Sequence, residues 1–393
     1  MQAYGDGALA GADEFAADLL LSTHGVDVEA VLGGRAEAGN DLDFGAGNRD
    51  QGAVAGAVVH GECGDGGRGG DVGQDASAVD GAFEHETILL ERLDLAQAWV
   101  LVRFFQSGVS ADRYGERMKK ILVTGATGKV GSRLSRRLAQ RGDQVRALVR
   151  DRGRAAELHD EGIELVEGDL LNADSLAAAV SGIDVVVHCA AFFRGASAEE
   201  AHAVNDLGTR HLAHAARGAS VGRFIFTSTG LVYGSTGGRL ASEDDACVPT
   251  VAYPESKLAA ERFLLGMDGL DVRVLRLPFV YGDGDPHIAD IIPIMRGFPP
   301  SQRLSLGHHA DIAQAVARLI DAPSPAHRIY NVVDDEAPDL ATLFASVGAA
   351  APDGSDAERA RAFDALMDGR RIRADLGFKP LFPRLADAMA AGA

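Results

Sequence analysis

The sequence predicts an α/β fold, a doubly wound parallel sheet of about seven strands with a small C-terminal lobe. Three observations lead there. From residue 119 onward, short apolar runs alternate with helical patterns, which is how repeated βαβ units read. The first run, Lys120–Thr124, passes through a glycine triplet directly into a helical pattern. The balance of the 393 residues, 46% hydrophobic and 24% charged, is that of an ordinary globular chain.

The chain changes texture at Met118. Residues 1–117 hold 21 of the 48 glycines, no lysine, seven arginines and 21 acidic residues, so they carry −14 of the formal −19. The stretch Gly61–Gly73, GECGDGGRGGDVG, has too little apolar surface to offset the entropy of ordering it. One helical spacing, within Ala82–Gln106, stands there with nothing obvious to pack against. Residues 1–117 therefore read as a low-complexity extension, disordered or a mistaken start. Residues 118–285 read as the main α/β domain, and 286–393 as a smaller lobe with a returning strand near 329–333.

The expected strands are Lys120–Thr124, Val145–Val149, Ile163–Val166, Val185–His188, Arg223–Thr227, Val272–Arg276 and Ile329–Val333. Helical patterns fill the gaps at Val130–Gln140, Ala155–Asp160, Ser175–Val180, Ala201–Arg217 and Tyr253–Leu265. After Tyr281 the chain is broken by Pro286, Pro293, Pro299 and Pro300, the mark of a helix-and-loop lobe.

An acidic chain without a basic stripe is repelled by phosphate backbones and anionic bilayers, so neither nucleic acid nor membrane is an expected partner. No apolar run approaches the ~18 residues of a spanning helix. Met1–Asp18 lacks the basic-then-apolar order of a secretory signal. Cys63, Cys189 and Cys247 are too few and too scattered for a disulfide framework, and a reducing cytoplasm is the expected location. His287, His308 and His309 have no carboxylate or cysteine at ligand spacing, so no metal is expected.

The glycine triplet is Gly125-Ala126-Thr127-Gly128-Lys129-Val130-Gly131. Such a turn bends sharply, lets backbone N–H groups approach a pyrophosphate, and packs the following helix close to its strand with its N-terminus toward negative charge. Gly125, Thr127, Gly128, Lys129, Val130 and Gly131 are the expected cofactor contacts. About twenty residues on, the second strand ends in Arg150-Asp151-Arg152. An acid there grips a ribose and an arginine accepts a 2′-phosphate; Arg150, first after the apolar run, favours NADP over NAD. Asp169 and Leu170, after the third strand, are placed for the adenine edge or for a helix cap.

Tyr253 and Lys257 lie four residues apart and so share a face of one helix, with Pro254 compatible with its first turn. A phenol of ordinary pKa near 10 is a poor acid–base group at neutral pH, and a neighbouring cation favours its ionised form. A strand ending in hydroxyls, Arg223–Thr229, precedes this pair.

These stations together resemble the extended short-chain dehydrogenase/reductase family, the NAD-dependent epimerase/dehydratase group. They are TGATGKVG at 124–131, GDL at 168–170, HCAA at 188–191, NDLGT at 205–209, TSTGLVYG at 227–234, YPESK at 253–257 and RLPFVYG at 276–282. The resemblance covers Met118 to the end and makes 118–285 a Rossmann-type NAD(P)-binding domain. It implies Thr229 as the catalytic hydroxyl with Ser228 as substitute, Tyr253 as acid–base, and Lys257 as its partner and a contact of the nicotinamide ribose. Asn205 matches an asparagine linked to the active-site strand, with a helix cap as an equal reading. Ala190 and Ala191 match small residues beside the ribose, and Pro278 and Phe279 match the segment passing the nicotinamide face.

The implied chemistry is hydride transfer between a nicotinamide and a carbon bearing a hydroxyl or carbonyl. A small-molecule carbonyl or alcohol is the leading substrate expectation. A sugar-nucleotide epimerase or dehydratase retaining NAD is the enzymatic alternative, and a non-enzymatic dinucleotide sensor the third. Family helices at Tyr253–Leu265 pair in homodimers, so a homodimer is expected. Phe192, Phe193, Arg194, Tyr281 and His287 are placed by position to line the pocket. A sugar-nucleotide enzyme needs basic grips for a diphosphate, and the lobe offers Arg296, Arg303, Arg370, Arg371 and Arg373 in no clear arrangement. Histidines replace part of the usual Leu306–Ala313 pattern.

Overall fold

The computed structural model describes residues 118–193 and 197–393. The extension at 1–117, its helical spacing, and Arg194 lie outside the described residues.

Seven parallel strands form the sheet: β1 (Lys120–Thr124), β2 (Gln144–Val149), β3 (Glu164–Glu167), β4 (Val185–His188), β5 (Arg223–Thr229), β6 (Val272–Leu277) and, after the short pair β7 (Phe279–Tyr281) and β8 (Leu306–His308), β9 (Ile329–Asn331). Their order is β3-β2-β1-β4-β5-β6-β9. The order reverses between β1 and β4, and the crevice above that switch point is where such sheets seat ligands. In register, Thr124 lies beside His188, and His188 beside Phe226. The carboxyl ends carrying the sequence motifs are therefore neighbours.

The connecting helices are α1 (Lys129–Gln140), α2 (Ala156–Asp160), α3 (Ala173–Val180), α4 (Ala198–His202), α5 (Gly208–Gly218) and α6 (Ala252–Leu265). One face of the sheet, with Leu122, Val186, Phe224 and Phe226, packs on Leu212 and Ala216 of α5 and Ala260 and Leu264 of α6. Burial of each leucine, valine or phenylalanine among them contributes about 1.5–3 kcal/mol. In the lobe, α7 (His287–Met295) and α8 (His309–Asp321) follow β7 and β8.

Two expectations need correction. The continuous helix over Ala201–Arg217 is instead α4, a π-helical turn at Ala203–Leu207, and α5. A π turn holds one extra residue and frees local polar groups for other partners, and such turns gather at functional sites. The other missed feature is the parallel pair β7–β8, whose strands of three residues are too short to carry a period. Among the described residues no helix is long and apolar enough to cross a membrane.

Candidate active site

Gly125 sits at φ +68°, and a Cβ there would lie 2.6 Å from the backbone nitrogen of Ala190. The turn thus packs against the end of β4 with no room for a side chain. A Cβ on Gly131 would drive into the Gly125 carbonyl, so that glycine lets α1 approach its strand. Helix α1 opens at Gly128 with no side-chain cap and no acidic residue in its first turn. Its free N–H groups suit a dinucleotide pyrophosphate, and the residues present fit that group. Gly125→Ala should weaken reduced-nicotinamide binding about tenfold by displacing this turn, as a fluorescence titration would read.

Lys129, an expected cofactor contact, holds its ammonium in ion pairs. Lys129 Nζ pairs with Asp285 at 2.9 Å and with Asp290 at 2.7 Å. Asp285 also accepts from His309 Nε2 at 2.9 Å. Burial pushes that carboxyl up, but His309 and Lys129 outweigh it and hold it below its ordinary range. Arg133 donates to the Asp283 carbonyl, and Arg137 binds the Asp283 carboxylate at 2.6 Å. Helix α1 is thereby clasped to the turn after β7, where Asp283 is held at φ +52°. Nothing in the periodicity announced this clasp; the run Gly282-Asp283-Gly284-Asp285 was its only trace.

Thr127 is exposed, as is Arg150 at the end of β2, while Val130 and Pro278 are half-buried. Asp169 Oδ1 accepts from Leu171 N at 2.8 Å and shapes the turn before α3, and Leu170 is buried in the core beneath it. Ala190 is half-buried and Ala191 exposed, beside the glycine turn.

Tyr253 and Lys257 stand one turn apart on α6, whose first turn contains Pro254. Lys257 is 1% exposed, and its ammonium lies 3.9 Å from the centre of the Phe226 ring on β5. Burial lowers this lysine to about 7, while Cys189 and Glu261 oppose the shift. Burial also pushes the Tyr253 phenol up to about 12. The sequence led us to expect the cation to lower the phenol, but here desolvation governs both groups. The Tyr253 ring meets Phe193 edge-on at 4.6 Å.

On β5, Thr229 Oγ1 accepts from Leu231 N at 3.2 Å, which leaves its own O–H to donate. Ser228 Oγ is buried with no partner among the described residues. Just past Thr229, a Cβ on Gly230 would strike the Met367 side chain, so an apolar wall from the lobe closes that side.

Asn205 is not a cap. It lies within the π turn, fully buried, and its Oδ1 accepts from Phe192 N at 2.7 Å. Its Nδ2 donates to Phe192 O and to Ser256 Oγ, both at 3.0 Å. Ser256 Oγ in turn donates to the Tyr253 carbonyl at 2.7 Å.

Under the site is a buried polar cluster that the motifs touched without revealing. Arg276 grips Glu261 through Nη2 at 2.7 Å and Nε at 3.2 Å, and its Nη1 donates to Tyr233 Oη at 2.9 Å. Tyr233 Oη donates to Asn331 Oδ1 at 2.7 Å, tying β5 and β6 to β9.

One expected lining residue is turned away. Tyr281 is wholly buried and donates to Asp334 at 3.1 Å, because β7 faces it into the lobe core. His287 stacks on Phe279 at 4.1 Å. His308 caps α8 by accepting from Ala310 N at 3.1 Å. The arginine grips are mostly engaged. Arg370 binds Asp368, Arg371 binds Glu243 and Asp244, Arg373 binds Asp335, and Arg303 donates to the Ala337 carbonyl. Burial pushes the Cys247 thiol up, in keeping with an inert residue.

Comparison with known proteins fits this geometry. The chain is 37% identical over 182 residues to a 3β-hydroxysteroid dehydrogenase/Δ5→4-isomerase of Mycobacterium tuberculosis, an alignment covering 42% of this chain and 48% of that protein. The chain thus spans about half the length of these mycobacterial relatives. It is 30% identical over 236 residues to UDP-glucose 4-epimerase of Vibrio cholerae, covering 55% and 71%. Among solved structures, DesIV, the dTDP-glucose 4,6-dehydratase of Streptomyces venezuelae with NAD bound, superposes with a TM-score of 0.60 at 26% identity, over 69% of this chain and 94% of that one. The model of the NAD dependent epimerase/dehydratase family matches residues 121–332. With its glycine turn, switch-point crevice and Tyr253/Lys257 helix, the chain belongs to that family.

Proposed function

We propose that the protein is a nicotinamide-dependent oxidoreductase acting on a small uncharged carbonyl or alcohol. One observation carries the reading: Tyr253 and the buried Lys257 stand one helical turn apart above β5, across the switch-point crevice from the glycine turn. A bound nicotinamide supplies or accepts hydride. This chain's residues handle the proton and the oxygen.

A phenol at about 12 is protonated at neutral pH and suits proton donation to a carbonyl oxygen. The Thr229 O–H, free to donate, stabilises charge on the same oxygen. Losing a donor of this type costs on the order of 100-fold in rate. Gly125, Gly128, Gly131, Ala190, Ala191 and Pro278 shape the seat along the crevice, and Asp169 and Leu170 border its adenine end.

A sugar-nucleotide epimerase or dehydratase is the second reading, favoured by the likeness to the Vibrio enzyme and to DesIV. Against it, four of the five lobe arginines already hold carboxylates or a carbonyl. Only Arg296 has no such partner among the described residues, a poor provision for a diphosphate. Names among the relatives, including a 3β-hydroxysteroid dehydrogenase and the ceramide reductase of Caulobacter vibrioides, agree with an uncharged substrate.

For the cofactor we favour NADP over NAD, since Arg150 is exposed directly after β2. Arg150→Ala should weaken NADPH binding about tenfold and leave NADH within about twofold, as expected for one lost phosphate contact. Equal effects would reverse the preference. Fluorescence titration with both reduced nicotinamides, followed by a panel of carbonyl substrates, tests the whole reading. Failure to bind either nicotinamide rejects it, and tightly retained NAD with sugar-nucleotide turnover selects the second reading.

A further inference from the structure

A buried relay runs under the crevice and is not used by the chemistry above. Thr124 Oγ1 meets His188 Nδ1 at 2.6 Å, and His188 Nε2 meets Thr209 Oγ1 at 2.9 Å. Thr209 Oγ1 donates to the Asn205 carbonyl at 2.6 Å. From Asn205 the chain of bonds continues through Ser256 to the Tyr253 carbonyl.

The polarity of this relay can be deduced. The Thr209 hydroxyl has one hydrogen and gives it to Asn205, so it accepts from His188, and the proton of the ring is on Nε2. Nδ1 is then the acceptor and takes the Thr124 hydroxyl hydrogen. Thr124 Oγ1 also accepts from Ala190 N at 3.3 Å, the same nitrogen against which Gly125 packs. Burial, with Lys257 nearby, holds the ring uncharged.

A histidine at this place has no packing reason. Its ring lies between Phe224 and Phe226, at 5.9 and 5.6 Å, where an apolar ring would fit without the cost of burying two polar nitrogens. That cost is met only because each nitrogen has one partner, and the partners lead in opposite directions. One is the last residue before the glycine turn. The other leads to the π turn that grips Phe192 and Ser256.

We infer that His188 is a positioning residue, a fixed Nε2–H tautomer that joins the seat of the dinucleotide turn to the placement of Tyr253. The inference rests on the reading of the crevice as a nicotinamide site. Its two halves are separable, because asparagine reproduces the Nδ1 position and glutamine the Nε2 position.

The test uses the full chain. With His188→Asn, which keeps an acceptor for Thr124 but loses the donor to Thr209, NADPH affinity should stay within about threefold while kcat falls about tenfold and the carbonyl KM holds. With His188→Gln, the reverse is expected: NADPH affinity weakens about fivefold and kcat is largely kept. Equal losses of affinity and kcat in both variants would reduce His188 to a structural residue and overturn the inference.

A measurement on the native chain covers variants that fail to fold. The ring nitrogens of His188, followed by 15N NMR, should report an uncharged Nε2–H form throughout neutral pH. An Nδ1–H form or a charged ring refutes the relay. Should the native chain bind NADPH but reduce no carbonyl, the redox reading fails by itself, and the affinity difference between the two variants still decides the role of His188.

Discussion

Tyr253→Phe should lower carbonyl turnover by about 10²–10⁴-fold while NADPH affinity changes less than about twofold. The substitution removes one oxygen. The ring that meets Phe193 at 4.6 Å stays, the Tyr253 carbonyl still accepts from Ser256, and α6 keeps its first turn with Pro254. Position and packing survive, so the loss reads the proton alone. Steady-state loss of NADPH absorbance together with a fluorescence titration separates the two quantities. Activity within a factor of ten of the native chain would remove Tyr253 from the acid–base role.

Lys257→Met should abolish turnover to a similar extent and at the same time raise the thermal stability of the cofactor-free protein. Among the described residues the native ammonium is buried against the Phe226 ring face, with the charges of Cys189 and Glu261 further off. Because burial lowers it from 10.5 to about 7, the folded state prefers the neutral amine. The unfolded chain binds the proton more tightly. The stability contributed by this group is therefore present above about 10.5 and is lost as pH falls through 7. Near neutral pH the lysine costs stability, and an unbranched apolar replacement removes that cost.

A gain of several degrees in Tm is expected, at about 2–4 °C for each kcal/mol in a chain of this size. The slope of stability against pH between 7 and 10.5 should flatten. An unchanged or lower Tm, measured by calorimetry at neutral pH, would mean that the amine has a partner in the free protein.

How much of this could be read from the chain depends on the range of the interaction. β4 and β5, Val-Val-Val-His and Phe-Ile-Phe, are buried along their length and read as continuous apolar runs, so their existence was legible while their place in the sheet was not. The glycine turn was legible because Gly125 must adopt a positive φ beside Ala190, a local demand with a local signature. Tyr253 and Lys257 could be paired by helical spacing alone.

Their protonation could not. It depends on Phe226 and on the depth of burial, which only the packed structure sets. The ion pairs of Lys129 were illegible for a similar reason: its partners Asp285 and Asp290 follow it by more than 150 residues. The π turn around Asn205 keeps a helical apolar pattern, so periodicity passed over the single extra residue that aims its amide at Phe192 and Ser256.

The last strand has a bearing on biosynthesis. β9 is the seventh strand of the sheet, paired among the described residues with β6, and its Asn331 receives the hydroxyl of Tyr233 from the motif after β5. A nascent polypeptide emerging from the ribosome exposes an unpaired β6 edge, and leaves the Tyr233 hydroxyl without its acceptor, until Asn331 has been translated. Parallel pairing across such a separation is slow, and the waiting edge is open to wrong neighbours.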